Sequence, residues 1–132
     1  MFVHARHLTA AALALGVLCA SAQTTGATAR QHPDIVAAKV RASGSDTFDF
    51  DVTVSSPYDT PQRYADAFRV MGRDGTVFGE RILLHDHADE QPFTRDLYGV
   101  KIPPGVRVAV VQGRDQRFGY GGKTVEVPLP GR

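Results

Sequence analysis

The chain has no tryptophan and a single cysteine, Cys19, among its 132 residues. One thiol excludes an internal disulfide, and a thiol this close to the N terminus leaves with any export leader. The remaining domain then has no thiol for nucleophilic catalysis and no Cys ligand for a blue-copper centre. No serine sits in a G-x-S-x-G setting, so a hydrolase elbow is unsupported. An excess of either charge sign is missing as well. Lys and Arg number 15 against 14 Asp and Glu, and removing Arg6 with a leader balances them. A neutral domain with interspersed signs carries no electrostatic footprint for nucleic acid or an anionic membrane. Finally, no apolar run is long enough to span a bilayer. The one from Leu8 to Cys19 falls short of the roughly 20 residues that a permanent helix needs.

That short run nevertheless has a position and a context. Arg6 and His7 precede it, and Ala20-Ser21-Ala22 follows with the small residues that a signal peptidase requires. Residues 1–22 therefore read as a signal peptide, which places the protein in the periplasm or outside the cell, with no membrane attachment after cleavage. A lipid anchor on Cys19 is disfavoured because Leu18 stands where such signals want a small residue. Residues 23–33 are small and polar, end on Pro33, and read as a flexible leader. The 110 residues from 23 to 132 suit one domain.

From Asp34 onward, apolar residues alternate with polar ones. Phe48, Phe50, Val52 and Val54 interleave with Asp49, Asp51 and Thr53, the period of two expected of a strand with one wet face. Further strands are expected at 35–42, 67–71 and 77–84, then from Phe93 through Leu97 after Gln91-Pro92, at 106–111, and at 125–129. Asp74-Gly75 marks a hairpin turn, Gly79 a bulge, and residues 113–122 (GRDQRFGYGG) a glycine-rich loop. No segment has a helical period. Short connections and alternating patterning argue for antiparallel pairing. The expectation is an all-β domain over 34–130: a seven-stranded antiparallel sandwich of immunoglobulin-like or fibronectin-type topology without a disulfide. A small closed barrel is the alternative.

Residues 76–105 (TVFGERILLHDHADEQPFTRDLYGVKIPPG) and 115–122 (DQRFGYGG) resemble a group of small secreted or periplasmic bacterial proteins with no established activity. The resemblance implies export of a freestanding domain and no particular chemistry. In that group a histidine often stands where this chain has Phe118, so any role of that histidine is absent here.

The stretch His85-Asp86-His87-Ala88-Asp89-Glu90 is the candidate site. Histidines at i and i+2 of an extended chain point the same way, and Asp89 or Glu90 could add an oxygen. His85, His87, Asp89 and Glu90 are thus candidate ligands for zinc or copper(II). A solvated, charge-balanced loop accounts for the same residues. Cleavage after Ala27-Thr28-Ala29 would instead expose Arg30-Gln31-His32, a terminus able to wrap copper(II) or nickel(II). Asp46, Asp49 and Asp51 could be read as calcium ligands, but their alternation with Phe48 and Phe50 marks a wet strand face. Tyr58, Phe118 and Tyr120 form either an aromatic patch for a partner or end-packing of a sandwich. Two functions follow. The first is a non-catalytic binding module that engages another envelope or secreted protein. The second is a divalent-metal protein using His85 and His87.

Overall fold

The computed structural model describes residues 30–132. The expected signal peptide, Cys19 and the alternative cleavage triplet lie outside the described residues. Seven strands follow in order: β1 (Asp34–Gly44), β2 (Thr47–Ser55), β3 (Ala65–Met71), β4 (Val77–Ile82), β5 (Phe93–Lys101), β6 (Val108–Asp115) and β7 (Gly119–Pro128). They form two antiparallel sheets, one ordered β1-β2-β5 and the other β4-β3-β6-β7. Three strands facing four in this order is the fibronectin-type arrangement of the sandwich. Each consecutive pair β1–β2, β3–β4 and β6–β7 is a hairpin, and the connections between the hairpins cross from one sheet to the other.

The alternation in β2 explains why the layers close. Phe50, Val52 and Val54 are completely buried and Phe48 nearly so, while the residues between them stay partly open. Ile35, Phe68, Val70, Phe93 and Val111 meet them from the other strands, and Ile102 from the loop after β5. Burying each such side chain contributes about 1.5–3 kcal/mol. These aliphatic and phenylalanine contacts fill the interlayer space that a tryptophan and disulfide occupy in antibody domains.

Where the structure departs from the sequence reading, the reasons are local. Residues 113–122 are a hairpin rather than a loop. Gly113–Asp115 finish β6, Gly119–Gly122 open β7, and only residues 116–118 turn. β4 ends at Ile82, two residues before the expected Leu84, because the chain leaves the sheet there and Leu84 is largely exposed. β6 begins at Val108, and Val106 belongs to the loop before it. The bulge expected at Gly79 falls one residue earlier. Phe78 has no partner in the register between Gly79↔Val70 and Val77↔Met71. Residues 30–33, assigned by composition to the leader, are part of the packed domain. Pro33 is fully buried, and the Arg63 guanidinium donates to the carbonyls of Arg30 and Gln31 at 3.0 and 3.1 Å.

Candidate functional site

The sandwich has two ends. Residues 30–33, the 56–64 and 83–92 connections and the β6–β7 turn lie at one. The β1–β2 and β3–β4 turns and residues 102–107 lie at the other. Strands of this length separate the ends by about 25 Å.

His85 and His87 sit at the N-terminal end, in the connection that follows β4. Their rings are 4.9 Å apart between centroids, so the structure brings the two predicted imidazoles together. His87 is nearly buried, at 5% exposure, and stacks on Phe93 at 3.8 Å. Its backbone N–H donates to Oδ2 of Asp59 at 3.1 Å, and Oδ1 of Asp59 accepts from Ala65 at 3.0 Å. The buried Asp59 carboxylate therefore ties the histidine loop to β3. Burial holds the His87 imidazole below the ordinary histidine range, and the charges of Arg95 and His85 add to that. Asp89 and Glu90 are exposed, and Glu90 is paired with Arg95 at 2.9 Å. Among the described residues, no third His, Cys, Asp or Glu joins the imidazoles in a group able to hold a metal. The remaining wall of this small crevice is Arg81, Ile82, Leu83, Leu84 and Arg95.

The other sequence candidates are distributed differently. Asp49 and Asp51 both reach Arg41, at 3.3 and 3.4 Å, and Asp46 pairs with Arg132 at 2.8 Å. Each of these carboxylates thus has a guanidinium partner. Tyr58 and Phe118 flank the Arg63 guanidinium, 4.4 and 4.9 Å from their ring centroids. Tyr120 lies apart, on the outer face of the four-stranded sheet. There Arg69 stacks over it at 3.8 Å and its hydroxyl bonds Glu80; burial raises its pKa, and the bond to Glu80 raises it further. The three aromatics do not form one patch.

A second concavity lies at the opposite end. A cleft of about 500 Å³ runs between the β3–β4 turn and the β5–β6 loop. Phe78, Pro103, Val106 and Val108 form its apolar wall, with Arg73, Asp74, Thr76 and Arg107 at the rim. Arg73 is committed to Glu126 at 2.9 Å, and Oδ1 of Asp74 accepts from the backbone of Thr76 at 3.0 Å. Arg107 has no carboxylate partner among the described residues. The loop wall is held by Arg132, whose guanidinium donates to the carbonyls of Ile102 and Val106 at 2.6 and 2.7 Å and stacks over Phe48 at 4.9 Å. These donors satisfy loop carbonyls that would otherwise need water.

Sequence reasoning missed Arg132, Arg63, Asp59 and Asp115. Each acts through a contact far away in sequence, and neither spacing nor periodicity signals such a partner. The cleft escaped for the same reason, since two loops from different hairpins build it.

No family model matches the chain, and no solved structure matches it. It is 34% identical over 97 residues to a protein of Halomicrobium mukohataei that carries the name "Putative lipoprotein"; the match covers 74% of this chain and 47% of the relative. The chain thus spans about half the length of the curated relative it matches. That relative is haloarchaeal, so the comparison supports a likeness to exported, lipoprotein-like proteins and not to a specifically bacterial group.

Proposed function

We propose that the protein is an exported, non-catalytic binding module that presents the cleft between the β3–β4 turn and the β5–β6 loop to another envelope or secreted protein. The observation that carries this reading is polarity. The described chain enters the fold at one end, pinned by Arg63 and the buried Pro33, and a cleft of about 500 Å³ opens at the other. The cleft therefore opens away from residues 30–33, free of the segment that leads into the domain. The name of the relative, a lipoprotein, supports export and placement at the cell envelope. The occupant that fits is a partner segment with an apolar side chain for the Phe78–Val106 wall beside a carboxylate for Arg107. The buried carboxylates of Asp59 and Asp115 spend oxygens on backbone amides, which suits a structural role better than an acid–base one.

Arg107→Glu tests the reading. The side chain is exposed, so its replacement should leave stability within about 0.5 kcal/mol while reversing the charge at the rim. With the chain immobilised through its N terminus, the variant should capture at least about tenfold less of a specific envelope protein than the wild type. A Val36→Thr control on β1 should capture normally. Equal capture by Arg107→Glu, or no partner from either, contradicts the proposal.

A further inference from the structure

The crevice around the two histidines stands apart from the cleft at the far end and carries its own chemistry. Arg81 lies opposite the buried Phe68 in the β4–β3 register, and Arg95 opposite the buried Val52 in the β5–β2 register. Both guanidiniums are therefore on inward faces of edge strands, and they meet at the lateral opening between the sheets. Arg81 contacts Asp96 of β5, donating from Nη1 to its carbonyl at 2.8 Å and its carboxylate at 3.2 Å. Within the described residues Arg81 uses only that nitrogen, so Nε and Nη2 remain available. Inward charges on edge strands block sheet-to-sheet pairing, and that alone accounts for two arginines. It does not account for two imidazoles lining the same crevice.

The imidazole nitrogens point to the sign of the ligand. Nδ1 of His87 is buried without a hydrogen-bond partner. Nε2 makes no hydrogen bond among the described residues, and His87 lines the crevice. A metal-bound imidazole normally donates its other N–H to an acceptor, and here Nδ1 has none. With the proton on Nε2, the neutral ring instead aims a donor into the crevice. His85 donates from Nδ1 to the carbonyl of Asp86 at 2.8 Å, so the Nε2 of its neutral ring is an acceptor and His85 is not one of the donors to the anion. Two guanidiniums beside these rings repel a divalent cation and attract an anion. The crevice encloses about 130 Å³, roughly four waters' share of liquid volume at about 30 Å³ each, which admits a carboxylate or a phosphate group.

We propose that the crevice between β4 and β5 binds a compact oxyanion through Arg81, Arg95 and the Nε2–H of His87. Glu90 is then the internal competitor. It occupies Arg95 at 2.9 Å, but its own side chain is 57% exposed and can swing away. This makes Glu90 decisive between chemistries. As a metal ligand it would strengthen binding, whereas as a competitor for Arg95 it weakens binding.

The test is an NMR titration of the full chain with inorganic phosphate and, in parallel, with acetate, at constant ionic strength. A third titration uses zinc chloride. Phosphate or acetate should produce saturable shifts of the His85 and His87 imidazoles and the Arg81 Nε–H. Glu90→Gln should tighten that binding several-fold, and Arg81→Gln should weaken it at least about tenfold. Saturation by only one of the two anions identifies the ligand as carboxylate or phosphate. The proposal is overturned if neither anion saturates, if Glu90→Gln fails to tighten binding, or if zinc saturates the imidazoles and Glu90→Gln weakens it. Glu90 is exposed, so this variant remains informative even if Arg81→Gln misfolds.

Discussion

Replacing Asp115 by alanine is expected to lower the unfolding free energy by about 3–5 kcal/mol, the cost of leaving a buried ion pair and its hydrogen bonds without one partner. The Asp115 side chain is completely buried beside Nε of Arg63, at 3.2 Å. One carboxylate oxygen accepts from the backbone N–H groups of Arg117 and Phe118, both at 2.8 Å, and so shapes the β6–β7 turn. Tyr58 closes the pocket; burial raises the pKa of its hydroxyl, and the nearby Asp115 carboxylate raises it further. Because such a domain has only about 5–15 kcal/mol of stability, the loss should lower Tm by more than 10 °C at roughly 4 °C or more per kcal/mol. Thermal unfolding followed by circular dichroism measures it. Asp115→Asn should fall between the two, since its amide oxygen still accepts from the turn.

The same residue imposes a pH dependence. Burial alone would push the Asp115 carboxyl up, but the Phe118 N–H, Tyr58, Arg63 and the Arg117 N–H together hold it below the usual aspartate range. A carboxyl depressed in the folded state contributes stability that is complete above its unfolded value of about 3.9. That stability is lost as pH falls from there through the folded value. The wild type should therefore lose stability steeply below about pH 4, and Asp115→Asn should show a shallower slope in the same window. Parallel slopes would mean that other carboxylates dominate acid unfolding.

Gly122→Ala is expected to cost about 2–5 kcal/mol. The residue has a φ of +77°, and a Cβ there would lie 2.0 Å from the carbonyl oxygen of Pro33. A left-handed conformation costs a non-glycine residue about 1–2 kcal/mol, and forced overpacking adds about 1–3 kcal/mol. Backbone cannot yield as a flexible side chain does. Residues 32 and 33 must therefore lift from β7, breaking the 2.9 Å bond from the Lys123 N–H to Oδ1 of Asp34. Faster hydrogen exchange at Lys123 should accompany the lower Tm. Gly105→Ala serves as the control, since nothing lies within 4 Å of a Cβ there. Equal stability of the two variants would show that the 32–33 segment is not held as described.

These two sites show which parts of the fold are readable from sequence. Phe48, Phe50, Val52 and Val54 announce a half-buried strand because burial of one face imposes a period of two on local sequence. The seven strands and their antiparallel pairing follow from such local signals. The GYGG stretch was misread because glycine density signals turns as readily as close packing. Here Gly121 and Gly122 lack side chains so that His32 and Pro33 can lie against β7, a reason written nearly ninety residues upstream. At the candidate site, His85 and His87 are neighbours in sequence and their ring centroids lie 4.9 Å apart, although they sit in a loop and not on one face of a strand. The two arginines that share the crevice, Arg81 and Arg95, come from different strands, and only the register between layers unites them. The far cleft is less legible still, because the 102–107 loop takes its shape from Arg132.

Site-directed photo-crosslinking in the native cell tests the far cleft most directly. A photoreactive residue at Arg107, on the cleft rim, should yield a discrete crosslinked product in the envelope or secreted fraction. The same group at Val36, on the exposed side of β1, should yield none. Equal products from the two positions, or a product from Val36 alone, would contradict the account.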